Sequence, residues 1–380
     1  MHTIIFISLV AGLYIFMRTV LPLQIRWWWK AALGLLILAA ASCFEGMKFL
    51  GGGRIFAPDL PPWCILSYTG LYMTLMAFFL LVLAAQALRW GMLLIPAWRR
   101  QSRTSRRTCF NRVHAALLAL AMLLCGIGMH HALSLPEPHY ITCPAKAPLR
   151  IAMLCDLHAD AVKGADFIRS IVERTNAQQP DIVVIVGDIV DGTLAQRGKN
   201  LEPLRELKAP LGVFGVPGNH DYFSGYDEWL PYLTSLGIRM LHNEHVQLEG
   251  GIVLAGVTDP AARHFGKEEP NVEKALAGVA PEDDVVLLAH QPQVAQHATS
   301  RVLLQLSGHT HGGLMPGFAA LTALYNCGWV SGVYEPHTPA TPQRLYVSNG
   351  TSLWTGMPLR LFVPSEITVI ELLPANHCQH

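Results

Sequence analysis

Four long apolar stretches dominate the first third of the chain: Ile4–Leu23, Ala31–Leu50, Trp63–Leu88 and Ala115–Leu135. Each is near the ~20 residues that cross ~30 Å of hydrocarbon as a helix. Arg18 interrupts the first, and Glu45 and Lys48 fall near the end of the second. The third and fourth carry no charge. The first stretch lacks a basic leader and is followed by more apolar segments, so it reads as an uncleaved anchor rather than a signal peptide. Trp27, Trp28 and Trp29 precede the second stretch, as an aromatic belt at the headgroup level would. The pattern predicts about four transmembrane helices within residues 1–135.

The pattern then changes. Residues 136–148 are proline-rich and polar and read as a linker. Beyond them, short apolar runs alternate with segments of helical period. Leu149–Cys155, Ile182–Val186, Gly212–Val216, Ile252–Val257, Val285–Ala289 and Val302–Leu306 read as buried strands. Arg344–Val347 and Ile367–Leu373 read as two more. Asp166–Gln178, Leu201–Lys208, Tyr226–Leu236 and Val272–Ala277 read as helices between them. Residues 149–374 therefore read as one α/β domain.

Charge sharpens this division. The net charge of +1 is a sum of opposites: residues 1–135 hold 12 Lys/Arg against two acids, and residues 136–380 hold 16 against 25. Charged residues make up 14% of the chain, below the ~25% of soluble domains. With a mean hydropathy of +0.32, a wholly soluble or disordered chain is excluded. Arg89, Arg99, Arg100, Arg103, Arg106, Arg107 and Arg112 lie between the third and fourth stretches, with no acid among them. The positive-inside rule makes that loop cytoplasmic. The fourth span then carries everything after Leu135 out of the cytoplasm, in a multi-pass protein of the cytoplasmic membrane. A short loop pinned between two spans is poorly placed for nucleic acid, and none is expected as a partner.

The predicted strands end on polar residues. Asp156-Leu157-His158, Gly187-Asp188, Gly218-Asn219-His220-Asp221, His290 and Gly308-His309-Thr310-His311 each follow a strand. Ligands of open α/β sheets bind at such ends. A lone histidine there would be an ordinary hydrogen bonder. The set is different, because carboxylates, an amide oxygen and imidazoles suit borderline divalent ions such as Mn, Fe or Zn. One aspartate bridging two ions gives a two-metal site, which lowers the pKa of a water and clamps phosphoryl oxygens. The glycines at 187, 218 and 308 allow close backbone approach beside the ions.

These motifs, in this order and spacing, resemble the calcineurin-like metallophosphoesterase superfamily over about residues 148–374. His311-Gly312-Gly313, Val330-Ser331-Gly332, the run from Leu345 to Gly350 and the run from Pro364 to Thr368 resemble its membrane-associated and exported bacterial branch. The resemblance implies a four-layer α/β/β/α sandwich and a phosphomonoester or phosphodiester hydrolase. It implies Asp156, His158 and His311 at one metal, Asn219, His290 and His309 at the other, and Asp188 between them. His220 would act at the leaving-group oxygen, with Asp221 as its orienting partner. Ala159-Asp160 and Leu314 depart from the common pattern, which bears on substrate choice if they line the cleft.

Other residues have plainer readings. Asp160 and Asp191 suit capping, with a supporting role at the site as the rival. His242, His245, His264, His297 and His337 lack ligand spacing. Tyr325, Trp329 and Trp354 suit core packing, with the cleft wall as the rival. Cys143, Cys155, Cys327 and Cys378 lack the spacing of a zinc site. The bilayer suggests a lipid-linked or cell-envelope phosphate as substrate. Rival readings are a membrane sensor or scaffold with a ligand-binding phosphoesterase-like domain, and a cytoplasm-facing UDP-diacylglucosamine-type pyrophosphate hydrolase. The arginine loop opposes the last. A transporter is disfavoured by the scarcity of ionisable residues within the spans.

Overall fold

Residues 2–52, 57–92, 94–96 and 102–374 are described by a computed structural model of the chain. Arg99, Arg100 and Cys378 lie outside the described residues. Two compact units divide at residues 130 and 131, apart from a short excursion at 356–359.

The first unit is helical. Helix α1 (His2–Ile15) continues as a π-helical turn over Phe16–Val20. Helices α2 (Trp27–Ala41), α3 (Cys43–Leu50), α4 (Pro62–Met92) and α5 (Arg103–Leu133) follow. Two segments, Pro62–Met92 and Arg107–Leu133, are long and apolar enough to cross a membrane. Helices α2 and α3 qualify only as one segment bent by 73°, and the first stretch is a shorter apolar helix, Ile4–Val20. Among the described residues there are thus two or three candidate spans where four were expected. The bend falls at Ser42, whose hydroxyl donates to the Leu38 carbonyl at 2.7 Å. Such back-bonding competes with the helical ladder and bends it.

The second unit contains two six-stranded sheets. The first has the order β1-β12-β2-β3-β4-β5, from strands β1 (Glu137–Ala145), β12 (Glu366–Pro374), β2 (Leu149–Leu154), β3 (Ile182–Val186), β4 (Val213–Val216) and β5 (Ile238–Met240). The second has the order β10-β11-β9-β8-β7-β6, from β10 (Gly332–Tyr334), β11 (Arg344–Val347), β9 (Val302–Ser307), β8 (Asp284–Leu288), β7 (Ile252–Gly256) and β6 (Glu244–Gln247). Within the first sheet β2 to β5 run parallel, and within the second β7, β8, β9 and β11 do.

The expected linker is a correction. Nine of its residues form β1, in parallel register with β12 from Glu137↔Glu366 to Ala145↔Pro374. Pro138 and Pro144 made the segment look unpaired. An edge strand tolerates proline, because only one side of its backbone needs donors. The helix expected at Leu201–Lys208 also lies earlier, as α7 (Leu194–Leu201). Thr193 and Gln196 form a capping box at its start, and Pro203 follows in a 3-10 turn.

Alternation along the strands sorts the cores, as the two-residue period of a pleated strand requires. Ile151, Met153, Val184 and Val186 of the first sheet share a cluster with Val286, Leu288, Leu304 and Leu306 of the second. Ala152, Leu154, Val183 and Ile185 join another cluster with Ile168 and Ile171 of helix α6 (Ala165–Asn176) and with Trp229. Val253, Val285 and Leu287 form a third with Val272 and Ala275. Because β3 is buried on both faces, it reads as the unbroken apolar run IVVIV.

Candidate metal centre

The parallel strands of both sheets aim their carboxyl ends at one place. Loops after β2, β3 and β4 carry Asp156 and His158, Asp188, and Asn219 and His220. Loops after β8 and β9 carry His290, His309 and His311. The first loops run side by side: Asp156 N–H donates to Gly187 O at 3.1 Å, and His158 N–H to Asp188 O at 3.0 Å. The two loops of the second sheet are joined by Gly308 N–H to His290 O at 2.9 Å, and they meet the first sheet through His309 N–H to the Asp156 carboxylate at 3.1 Å.

Close approach needs glycine here. A Cβ on Gly218 would lie 2.3 Å from Asp188 Oδ1, and one on Gly308 would lie 2.5 Å from Asp156 Oδ2. Backbone strain collects at the same residues. Asp156, His158, Asp188, His309 and His311 all have positive φ, between 45° and 70°. Non-glycine residues rarely adopt this region, and each costs on the order of 1–3 kcal/mol.

Three groups of ligand atoms converge among the described residues; one is the hydrogen-bonded trio His158, Asp191 and His220, and the other two face each other across Asp188. Of these two, the first joins Asp156, His158 and His311, and the second joins Asp188, His290 and His309. Asp188 faces both, with Oδ2 3.6 Å from His158 Nε2 and 3.3 Å from His290 Nε2. Asn219 is the remaining member of the predicted set, and its Oδ1 is buried without a hydrogen-bond partner, as are His158 Nε2 and His290 Nε2. Unmet buried polar atoms cost ~1–3 kcal/mol each. Both histidines have their other nitrogen fixed: Nδ1 of His158 by Asp191 Oδ2 at 2.9 Å, and Nδ1 of His290 by Val186 O at 2.9 Å. That leaves the Nε2 lone pairs directed at Asp188, the arrangement metal-ligating histidines use. Acidic and imidazole donors facing inward, with orphaned acceptors, fit divalent cations.

Of the two readings of Asp191, the contacts favour the supporting one over capping. Its second oxygen accepts from His220 Nδ1 at 2.6 Å, so one carboxylate orients both His158 and His220. The expected role of Asp221 is corrected accordingly. Its oxygens accept backbone N–H groups, from Ile189 at 2.8 Å, Val190 at 3.2 Å and Gly218 at 2.8 Å. It ties the two loops together and does not hold the His220 ring. The available signal was its position as third residue of the helical turn that begins at Asn219 after Gly218, where a carboxylate caps.

Electrostatics follow the geometry. Burial works against a charged His220, but Asp191 and then Asp188 overcome it and raise its pKa to about 9. Burial pushes Asp191 up, yet His220 and His158 bring it down to about 2. Burial and Asp188 raise Asp221 to about 7, against the N–H groups of Gly218 and Ile189.

Arg360, which was unanticipated, is fully buried. It donates to the carbonyls of Asn349 at 2.7 Å, Ser352 at 2.6 Å and His311 at 3.4 Å. Nothing in its sequence spacing marked it. Asp160 is a cap: its Oδ1 accepts from Val162 and Lys163 N–H, both at 2.8 Å. Ala159 and Leu314 are buried. Trp354 lies beside His220, with ring centroids 6.0 Å apart, and Phe223 lies at 5.7 Å. Trp329 packs on the second sheet, whereas Tyr325 is 77% exposed rather than in a core. His242 and His245 are local hydrogen bonders, to Tyr226 and Ala275. The Cys143 thiol donates to Pro144 O at 3.7 Å, the Cys155 thiol donates to Asp156 Oδ2 at 2.7 Å, and Cys327 is exposed.

The parallel strands of two mixed sheets thus converge on clustered aspartate and histidine. The calcineurin-like phosphoesterase family matches residues 149–313. An uncharacterized metallophosphoesterase of Helicobacter pylori is 40% identical over 230 residues, 60% of this chain and 60% of that one. A transmembrane protein with metallophosphoesterase domain from Danio rerio is 35% identical over 338 residues, 83% of this chain and 75% of that one. Its Bos taurus counterpart is 30% identical over 370 residues, 91% of this chain and 81% of that one. This chain belongs to the calcineurin-like metallophosphoesterase family.

Proposed function

We propose that the chain is a membrane-anchored, metal-dependent phosphoester hydrolase with a two-metal site. The supporting observation is Asp188, whose carboxylate faces both groups of histidine nitrogens at once. In this reading Asp156, His158 and His311 hold one divalent ion, Asn219, His290 and His309 hold the second, and Asp188 is common to both. When bound, such ions supply an acidified water and positive charge for the phosphoryl oxygens.

The chain's own residues do the rest. Asp191 fixes His158 as a ligand and His220 as a proton holder through one hydrogen-bonded carboxylate. His220 would offer the proton on Nε2 to the departing oxygen, a contribution of roughly 10²–10⁴-fold. Trp354 and Phe223 beside it would shape one wall of the substrate cleft.

The finer architecture belongs to the same reading: about four membrane segments within residues 1–135, then a catalytic domain at 149–374 in four layers, α/β/β/α. The three separate core clusters support the layering. The seven arginines between the apolar stretches Trp63–Leu88 and Ala115–Leu135 support a domain outside the cytoplasm, and the membrane anchor supports a lipid-linked or cell-envelope phosphate as substrate.

The test joins metal analysis to hydrolysis of a generic aryl phosphodiester by wild type and Asp188→Asn. Metal near two ions per chain, with activity lost in the variant, is the expected result. Equal background activity in both would remove the enzyme reading in favour of a ligand-binding sensor. A C-terminal alkaline phosphatase fusion should be active; an inactive one would place the domain in the cytoplasm.

A further inference from the structure

From Gly312 to Tyr334 there are 23 residues without a charged side chain. They begin directly after the metal-loop residue His311. Within them lies a helix, α11 (Phe318–Tyr325), that buries none of its residues. Its attachment is close: a Cβ on Gly313 would meet Ala319 Cα at 2.6 Å. Its far side is bare. Leu321 is 44% exposed and Leu324 80%, with Tyr325 beside them. Phe362, 85% exposed, follows Leu361, whose N–H donates to Leu314 O at 2.9 Å, four residues before the helix. The helix's polar groups are turned inward on themselves. Thr322 Oγ1 donates to Phe318 O at 3.2 Å, and Asn326 Nδ2 to Thr322 O at 3.0 Å.

We propose that the outer face of α11, with Phe362, docks into the interfacial layer of a lipid bilayer and presents the His309–His311 loop to phosphates carried by lipids. The substrate half rests on the hydrolase reading above; the docking half does not. A second copy of the chain is a poor occupant, because one eight-residue helix and a neighbouring phenylalanine fall short of the ~800 Å² per partner of a stable interface. A bilayer needs no such area. The chain's own apolar helices keep a membrane at high effective concentration, so weak insertion suffices. Aliphatic side chains edged by a tyrosine, with no charge to desolvate, suit the headgroup boundary.

The test uses the full chain in proteoliposomes of phosphatidylethanolamine and phosphatidylglycerol. With the exposed Cys109 and Cys327 changed to Ser, a nitroxide is placed at Leu324→Cys or, as a control, at exposed Thr234→Cys. The Leu324 label should collide severalfold more with oxygen than with a water-soluble nickel chelate, and the Thr234 label should do the reverse. Water-like behaviour at both sites overturns the docking, as does label–label broadening that marks a second copy. Leu321→Glu/Leu324→Glu should slow hydrolysis of vesicle-borne phosphatidic acid or phosphatidylglycerol by about tenfold or more, the scale of two buried leucines. Its rate on a soluble aryl phosphodiester should match wild type. Equal losses on both substrates would overturn the presentation role. If wild type cleaves neither, the hydrolase reading fails while the label still decides the docking.

Discussion

The two sheets bring different chemistry to the same place. The end of the first supplies every oxygen donor, through Asp156, Asp188 and Asn219, and one imidazole, His158. The end of the second supplies imidazoles alone, through His290, His309 and His311. Negative charge is therefore concentrated on one half of the centre. That half also has the densest support, with Asp191, Asp221 and the paired β2 and β3 loops around it. The lesson is one of division: the carboxylates lie at the end of the first sheet, while the second contributes imidazoles.

The strongest way to break this division is Asp188→Asn, which removes the charge common to both ligand groups. Hydrolysis should fall by roughly 10³-fold, the upper range for removal of one electrostatic group at such a site. Metal content, read by plasma mass spectrometry, should fall in both halves together. Gly218→Ala should come next. Its Cβ would overlap Asp188 Oδ1, and relief by backbone movement costs about 1–3 kcal/mol. Lower thermal stability together with lower metal content would show it.

Asp191→Asn should separate orientation from charge. Activity should fall ~10–100-fold, the range for groups that orient ligands. The rate should fall more than the metal content. Asp221→Asn should instead lower the melting temperature, because its partners are backbone N–H groups. The smallest effect contrasts the halves directly. In metal-free protein Asp156→Asn should raise the melting temperature by about 2–4 °C, the scale of 1 kcal/mol in a domain of this size, by relieving buried like charge. His309→Ala should give no such gain. Calorimetry of chelator-treated protein measures both, and an equal response would erase the distinction.

The ligand set was legible in the sequence because a strand end is a local feature. An apolar run followed by Asp, Asn or His can be read without knowing the neighbours. The role of Asp191 was legible only as one of two readings, because its two histidines arrive from different loops. Asp221 was misread for a related reason: adjacency to His220 in sequence suggested a partner, but the helical turn aims the two side chains apart. Among strands, β1 was hidden by its prolines. The strands β5, β6 and β10 were hidden by their length, since three or four residues at or near a sheet edge carry too little alternation to stand out. In the helical unit, composition alone could not place the 73° bend at Ser42.

The position of β12 has a consequence in the order of synthesis. It is not an edge strand: it lies between β1 and β2, whose residues precede it by more than 200 positions. A ribosome delivers β1, β2 and all the ligand loops before it delivers the strand that joins the first two. Until residue 374 has emerged, the first sheet has a gap one strand wide. A growing chain must therefore keep two strand edges unpaired throughout most of its translation, and the sheet closes from the middle, last.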